Sequence, residues 1–246
     1  MVCALTMTAC AGATSAKKYG IEVVQEYPHD ATSYTQGLFF DEEGKMCESA
    51  GLYGSSSYRK NIGIESGKCE KKIDFEDKYF IEGSCVLNGE LFLLTWREHL
   101  AFVYDANSLE FKRAYKFPRQ GWGLTTDGKQ LIASDGSHLI HFLDTGFKRQ
   151  RSIEVTLDGK KVRGLNELEW IDGKIWANVY LTDEILIINP GNGNVEGIID
   201  CTGLLPRGLH DKNTDVLNGI ACDGERIFLT GKCWPRLYEV KLVEKE

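Results

Sequence analysis

Leu165-Asn166-Glu167-Leu168-Glu169-Trp170-Ile171-Asp172-Gly173-Lys174-Ile175-Trp176-Ala177-Asn178-Val179-Tyr180 reads as two strands joined by one tight turn. The Asp-Gly pair favours positive backbone φ, which suits a hairpin. The same format recurs along the chain. Thr35-Gln36-Gly37-Leu38, Ile81-Glu82-Gly83-Ser84, Gly121-Trp122-Gly123-Leu124 and Leu217-Asn218-Gly219-Ile220 align with Leu165-Asn166-Glu167-Leu168. Their third positions fall 40 to 52 residues apart. The matching turns are Glu43-Gly44, Asn88-Gly89, Asp127-Gly128 and Asp223-Gly224. Second strands are expected at 45–49, 90–96, 129–135, 174–180 and 225–232, and third strands at 100–104, 139–143, 185–188 and 237–243. Five units of up to four short strands predict an all-β, five-bladed β-propeller. A β-sandwich with fortuitous turn spacing is the competing architecture. Tyr19–Tyr27 reads as an extra strand, and the last unit lacks its fourth. The N-terminal strand is therefore expected to complete the last blade and close the ring, which removes an exposed edge.

Composition agrees with that reading. The 246 residues include 26 Gly, 5 Pro and 11% aromatics, a mixture that suits short strands and tight turns rather than a helical bundle. With 29 Lys+Arg against 36 Asp+Glu, the net charge of −7 argues against a nucleic-acid surface. Residues 1–16 are small, apolar and uncharged, ending at Lys17-Lys18. They read as an export segment, with Met7-Thr8-Ala9-Cys10 similar to a lipobox in which Cys10 is lipidated. The expected location is periplasmic or lipid-anchored to a bacterial envelope, with membrane contact only through that lipid. Nothing else approaches the ~18 apolar residues of a membrane span. Residues 1–18 are thus set apart from one domain at 19–246, expected to be monomeric. Cys47, Cys69, Cys85, Cys201, Cys222 and Cys233 form no CxxC pair and read as structural. Lys71-Lys72 and Lys160-Lys161 read as solvated turns.

In a propeller, the starts of the innermost strands face a central mouth. The residues just before each third position are Gln36, Glu82, Trp122, Asn166 and Asn218. The ends of the second strands add Trp96, Asp135, Tyr180 and Lys232. Polar side chains converging in one concavity mark a candidate site. A lone carboxylate among aromatics is expected to be desolvated, which raises its pKa and suits proton shuttling. Calcium ligation by Glu82, Asn166, Asn218 and Asp135 is the rival, in a lactonase-type propeller. A non-catalytic periplasmic binding propeller is the third reading. None of the five histidines falls in the ring, so catalytic zinc is not expected.

The chain also carries Tyr27-Pro28-His29-Asp30, Glu48-Ser49-Ala50-Gly51-Leu52-Tyr53-Gly54 running to Arg59, Leu94-Thr95-Trp96, Ala177-Asn178-Val179-Tyr180 and Thr230-Gly231-Lys232-Cys233-Trp234-Pro235. With the repeats, these resemble the glutaminyl cyclotransferases of the plant and bacterial type across residues 19–243. The resemblance implies a five-bladed propeller that converts the N-terminal glutamine of a peptide or protein to pyroglutamate and releases ammonia, with no cofactor and no catalytic metal. It implies that Glu82 is the acid/base, with Gln36, Asn166 and Lys232 contacting the substrate amine and amide. Phe80, Trp96 and Trp122 match the aromatic walls, and Asn218 joins them as a substrate-binding position. Tyr34 and Tyr180 stand where Phe and Trp are expected, keeping the rings but altering polarity. Ile81 and Ser84 also depart from the pattern.

Overall fold

Strand β1 (Lys17–Pro28) precedes four meanders of four strands and one of three. The first is β2 (Thr35–Phe40), β3 (Met46–Ala50), β4 (Ser57–Ile62) and β5 (Cys69–Asp74). The second is β6 (Ile81–Leu87), β7 (Glu90–Thr95), β8 (Leu100–Asp105) and β9 (Phe111–Lys116). The third is β10 (Leu124–Thr126), β11 (Leu131–Ser134), β12 (Leu139–Leu143) and β13 (Arg149–Glu154), followed by a small hairpin, β14 (Thr156–Leu157) and β15 (Lys160–Lys161). The fourth is β16 (Leu165–Ile171), β17 (Lys174–Val179), β18 (Glu184–Ile188) and β19 (Val195–Asp200). After one 3-10 turn at Arg207–Leu209 come β20 (Leu217–Cys222), β21 (Ile227–Gly231) and β22 (Arg236–Glu244). The computed structural model describes residues 15–245; Cys10 and the lipobox lie outside the described residues.

Every meander pairs antiparallel in sequence order. β1 runs antiparallel along β22 from Tyr19↔Glu244 to Pro28↔Arg236. Its first residues also pair in parallel with β19, joining the fourth and fifth meanders into one eight-stranded sheet. The inner strands pack side by side: β2 on β6 and β20, β10 on β6 and β16, and β16 on β20. The core lies between successive meanders. Phe39, Cys47 and Tyr58 meet Ile81, Leu91 and Leu93 between the first two, and Leu165, Leu168 and Ile175 meet Ile132, Ile140 and Phe142 between the third and fourth. Such layers of fully buried Ile, Leu and Phe supply most of the fold's stability, about 1.5–3 kcal/mol per large side chain. The result is an all-β, propeller-like arrangement.

The turns are not all alike. Asn88-Gly89 and Asp172-Gly173 take positive φ at both residues and close two-residue hairpins, Leu87↔Glu90 and Ile171↔Lys174. The other three loops are longer because an aspartate organises them. Asp127 and Asp223 each accept two backbone N–H bonds through Oδ1, and Asp41 does the same for Glu43 and Lys45. Lys71-Lys72 and Lys160-Lys161 are exposed strand residues of β5 and β15 rather than turns, because an outer edge strand tolerates lysine on its solvent side. The six cysteines among the described residues are free thiols.

Candidate active site

The repeat motif positions its side chains through bulges. Pairing slips between Thr35 and Gly37, Ile81 and Ser84, Leu165 and Leu168, and Leu217 and Ile220. A bulge re-aims a side chain where an ordinary strand would alternate it. Here it turns Gln36, Glu82 and Asn166 into one cavity of about 200 Å³. Neighbouring meanders hold the bulges in place. Ser49 donates its hydroxyl to the Glu82 carbonyl at 2.7 Å, Ser134 donates to the Asn166 carbonyl at 2.7 Å, and the Gly83 N–H donates to the Trp122 carbonyl at 2.7 Å. Glycine at the third position is a close-approach requirement. A Cβ on Gly83 would stand 2.3 Å from the Leu124 nitrogen, and one on Gly123 would stand 2.1 Å from the Asn166 carbonyl oxygen.

The cavity walls are aromatic, formed by Tyr34, Phe80, Trp96, Trp122 and Tyr180. Trp122 and Tyr180 meet edge to face at 5.5 Å, and Phe80 lies 5.3 Å from Trp96. Gln120 accepts hydrogen bonds from both indoles, at 3.0 Å from Trp96 and 3.3 Å from Trp122. Lys232 follows β21 and stands over the rings of Tyr34, at 4.7 Å, and Tyr180, at 5.3 Å. Both rings present a negative face to the cation. The Tyr34 hydroxyl donates to Asp215 at 2.6 Å, and burial together with that bond pushes the phenol's pKa up.

Glu82 and Lys232 are the buried charges of the cavity. Burial pushes the Glu82 pKa well above the usual carboxylate range; the Lys232 charge pulls it back in part and Glu98 adds to the rise. Burial likewise lowers the Lys232 pKa, while Glu82 and Asp215 oppose the change. Among the described residues, none donates a hydrogen bond to the Glu82 carboxyl. A carboxyl so placed can exchange a proton with whatever occupies the cavity, without first breaking a protein contact.

Nine of the ten side chains singled out from sequence for catalysis or substrate binding line this one cavity. Asn218 does not. It is fully buried behind the wall, where its amide donates to the Thr35 carbonyl at 2.8 Å and to Gln36 Oε1 at 3.3 Å, fixing Gln36. Asp135 is also absent from the cavity; it accepts from His141 at 3.0 Å and lies 3.8 Å from Arg119. The four oxygen ligands expected of a calcium site therefore do not converge, because only Glu82 and Asn166 face the same space. Sequence reading missed Asp215, Glu98 and Gln120, which lie outside the repeat positions. It also missed Glu167, which accepts backbone N–H bonds from Leu38 and Ile220 across the axis. The signal for Glu167 was present, since it is the one repeat whose third position is not glycine.

The chain matches the family model described as glutamine cyclotransferase over residues 1–242. It is 41% identical over 229 residues to a glutaminyl-peptide cyclotransferase of Arabidopsis thaliana, covering 90% of this chain and 71% of that protein. The crystal structure of the glutaminyl cyclase of Myxococcus xanthus superposes with a TM-score of 0.86 at 33% identity, over 94% of this chain and 100% of that one. BamB of Moraxella catarrhalis, 11% identical with a TM-score of 0.50 over 90% of this chain and 97% of that one, shares the fold alone. With a family model spanning nearly its whole length and a relative at 41% identity, this chain belongs to the glutamine cyclotransferase family.

Proposed function

We propose that this chain cyclises the N-terminal glutamine of peptides or proteins to pyroglutamate and releases ammonia. The observation that carries the assignment of roles is Glu82, a buried carboxyl with a raised pKa and no donor among the described residues, in an aromatic cavity shared with Lys232, Asn166 and Gln36. The glutaminyl side chain folds back so that its α-amine nitrogen meets its own carboxamide carbon. Walls of Trp96, Trp122 and Tyr180 favour that flat, folded rotamer, which is catalysis by proximity. The amine attacks as a neutral group, forming the new N–C bond and placing negative charge on the carboxamide oxygen. Lys232, Asn166 and Gln36 are the groups available to stabilise that oxygen. Glu82 takes one proton from the attacking amine and delivers it to the departing NH2. The old C–N bond breaks and ammonia leaves.

The finer architecture belongs to the same proposal. Five blades surround the cavity, β1 closes the ring by serving as outer strand of the last blade, and the one domain takes in Lys17 and Lys18, which pair with β19 rather than belonging to the segment expected to end at residue 18. The side-by-side packing of the five inner strands and the β1–β22 pairing support it. Ammonia release from a glutamine-initiated peptide, with the matching loss of mass, tests the function. Turnover in a folded Glu82→Gln variant near that of the unaltered protein would overturn the role given to Glu82.

A further inference from the structure

Among the described residues, four large apolar side chains sit on left-handed backbone: Leu52 (φ 85), Leu109 (φ 62), Phe147 (φ 60) and Leu181 (φ 65). Such angles cost backbone energy in a bulky residue that glycine or asparagine would not incur. Two of the four recover it by packing. Phe147 is 6% exposed in the core between the second and third meanders, and Leu109 packs against the core between the first and second. Leu52 and Leu181 do not: they are 38% and 69% exposed.

Both are chain neighbours of residues that line the cavity or pack on its wall, and they occupy equivalent places. Each is the second residue after the second strand of its meander, β3 or β17. The equivalent residues of the third and fifth meanders, Gly136 (φ 74) and Cys233 (φ 57), are left-handed too, whereas Arg97 of the second is not, so the turn recurs in four of the five meanders. Leu181 follows Tyr180, which lines the cavity, and Leu52 precedes exposed Tyr53, whose ring lies 5.4 Å from the wall residue Phe80. An unrewarded left-handed leucine on a rim is the kind of outlier that points to function.

We infer that Leu52, Tyr53 and Leu181 form an apolar rim that binds the side chain following the N-terminal glutamine, so that the preferred substrates carry an apolar or aromatic second residue. The inference rests on the cyclase reading. A peptide with its first residue enclosed must leave through the mouth, which brings its second side chain onto these residues. Continuity with the cavity identifies the occupant, and an apolar contact of this size favours the matching substrate by about tenfold.

The test measures kcat/KM for ammonia release from Gln-Phe-amide and Gln-Gly-amide with the unaltered chain and with a Leu52→Asn, Leu181→Asn double variant. Asparagine tolerates the left-handed turn, so Tm should hold or rise. The unaltered chain should prefer Gln-Phe-amide by about tenfold, and the variant should lose most of that preference through a raised KM for Gln-Phe-amide. Equal kcat/KM for the two peptides, or full preference retained in the folded variant, overturns the rim assignment alone. Absence of ammonia release from both peptides overturns the cyclase reading instead.

Discussion

Glu48 and Glu82 are buried carboxyls on adjacent meanders, and their pKa values move in opposite directions. Burial pushes both up. At Glu48, His29, Ser33 and Thr35 place donors 3.1, 2.6 and 2.7 Å from one carboxylate oxygen, and Arg59 lies 3.4 Å from the other. Those partners outweigh burial and hold Glu48 down at about 2. At Glu82 no such donors offset the burial, and the pKa rises well above the ordinary range. Burial makes a carboxyl costly, but its partners decide whether it is a fixed charge or a mobile proton. Glu48 is a structural anion. His29, which it holds in place, also contacts the Trp234 carbonyl at 2.7 Å and so ties the first meander to the loop carrying Lys232.

The largest effects should separate these two residues. Glu82→Gln should lower kcat by roughly 10²-fold or more, with Tm scarcely changed, because no protein hydrogen bond is lost. Steady-state ammonia release beside a thermal melt reads both quantities. Glu48→Gln should do the reverse. Leaving a charged His29 without its counter-ion, and Arg59 with Asp30 alone at 3.2 Å, should cost about 3–5 kcal/mol of stability, or roughly 10 °C in Tm. Whatever remains folded should still turn over. If Glu48→Gln lost activity with Tm intact, the division of roles would fail.

A smaller effect lies in the pH dependence of stability. The folded pKa of Glu48 is about 2 against 4.5 unfolded, so its contribution is full above 4.5 and is lost as pH falls through 2. His29 behaves oppositely. Burial alone would lower its pKa, but the Glu48 charge and hydrogen bond raise it overall, so its contribution is full below 6.5 and fades as pH rises through the raised value. Glu169 sits near the axis, accepting from Thr125 at 3.2 Å and from the Cys222 N–H at 3.4 Å, and burial pushes it up to about 8. Its stabilising effect is therefore present below 4.5 and is lost as pH rises through 8. Tm measured across this range should fall at both ends, and Glu169→Gln should flatten the descent between 4.5 and 8 while leaving the acid side unchanged.

The repeat, the meanders and the cavity wall were legible because a bulge at one motif position in successive units repeats both in sequence and in space. The pairing of β1 with β22 was legible for a related reason, since a last unit short of one strand needs a partner. Asp135 and Asn218 were misread as mouth residues because register tells which position reaches the rim but not which partner captures the side chain there. His141 captures Asp135, and the Thr35 carbonyl and Gln36 capture Asn218. The loops closing after Asp41, Asp127 and Asp223 read as tight hairpins like the others because the aspartate bonds that lengthen them follow from local backbone geometry, which the Xaa-Gly pair alone does not encode. Asp215 carried no periodic signal, and only the fold brings it to Tyr34.

Tyr34→Phe sharpens the comparison at its finest grain, because it removes one oxygen and keeps the ring. The phenol donates to Asp215 at 2.6 Å, and its ring carries Lys232 at 4.7 Å. Asp215 and Lys232 are also joined through backbone, the Asp215 N–H donating to the Lys232 carbonyl at 3.0 Å and the Lys232 N–H to the Val216 carbonyl at 2.9 Å. The ammonium thus keeps its backbone position in the variant and loses only the fixed orientation of one ring. The cost to kcat should be a few-fold, far below that of Glu82→Gln, since the cation–π contact is worth about 0.5–2 kcal/mol and survives in part on Tyr180. Asp215→Asn should act differently. Because Asp215 helps hold the Lys232 pKa up, removing its charge should move the alkaline limb of the kcat/KM profile to lower pH, whereas Tyr34→Phe should leave that limb nearly in place. Profiles recorded for both variants decide whether Asp215 reaches Lys232 through its charge or through the orientation of Tyr34; an equal shift in the two would assign it to the ring.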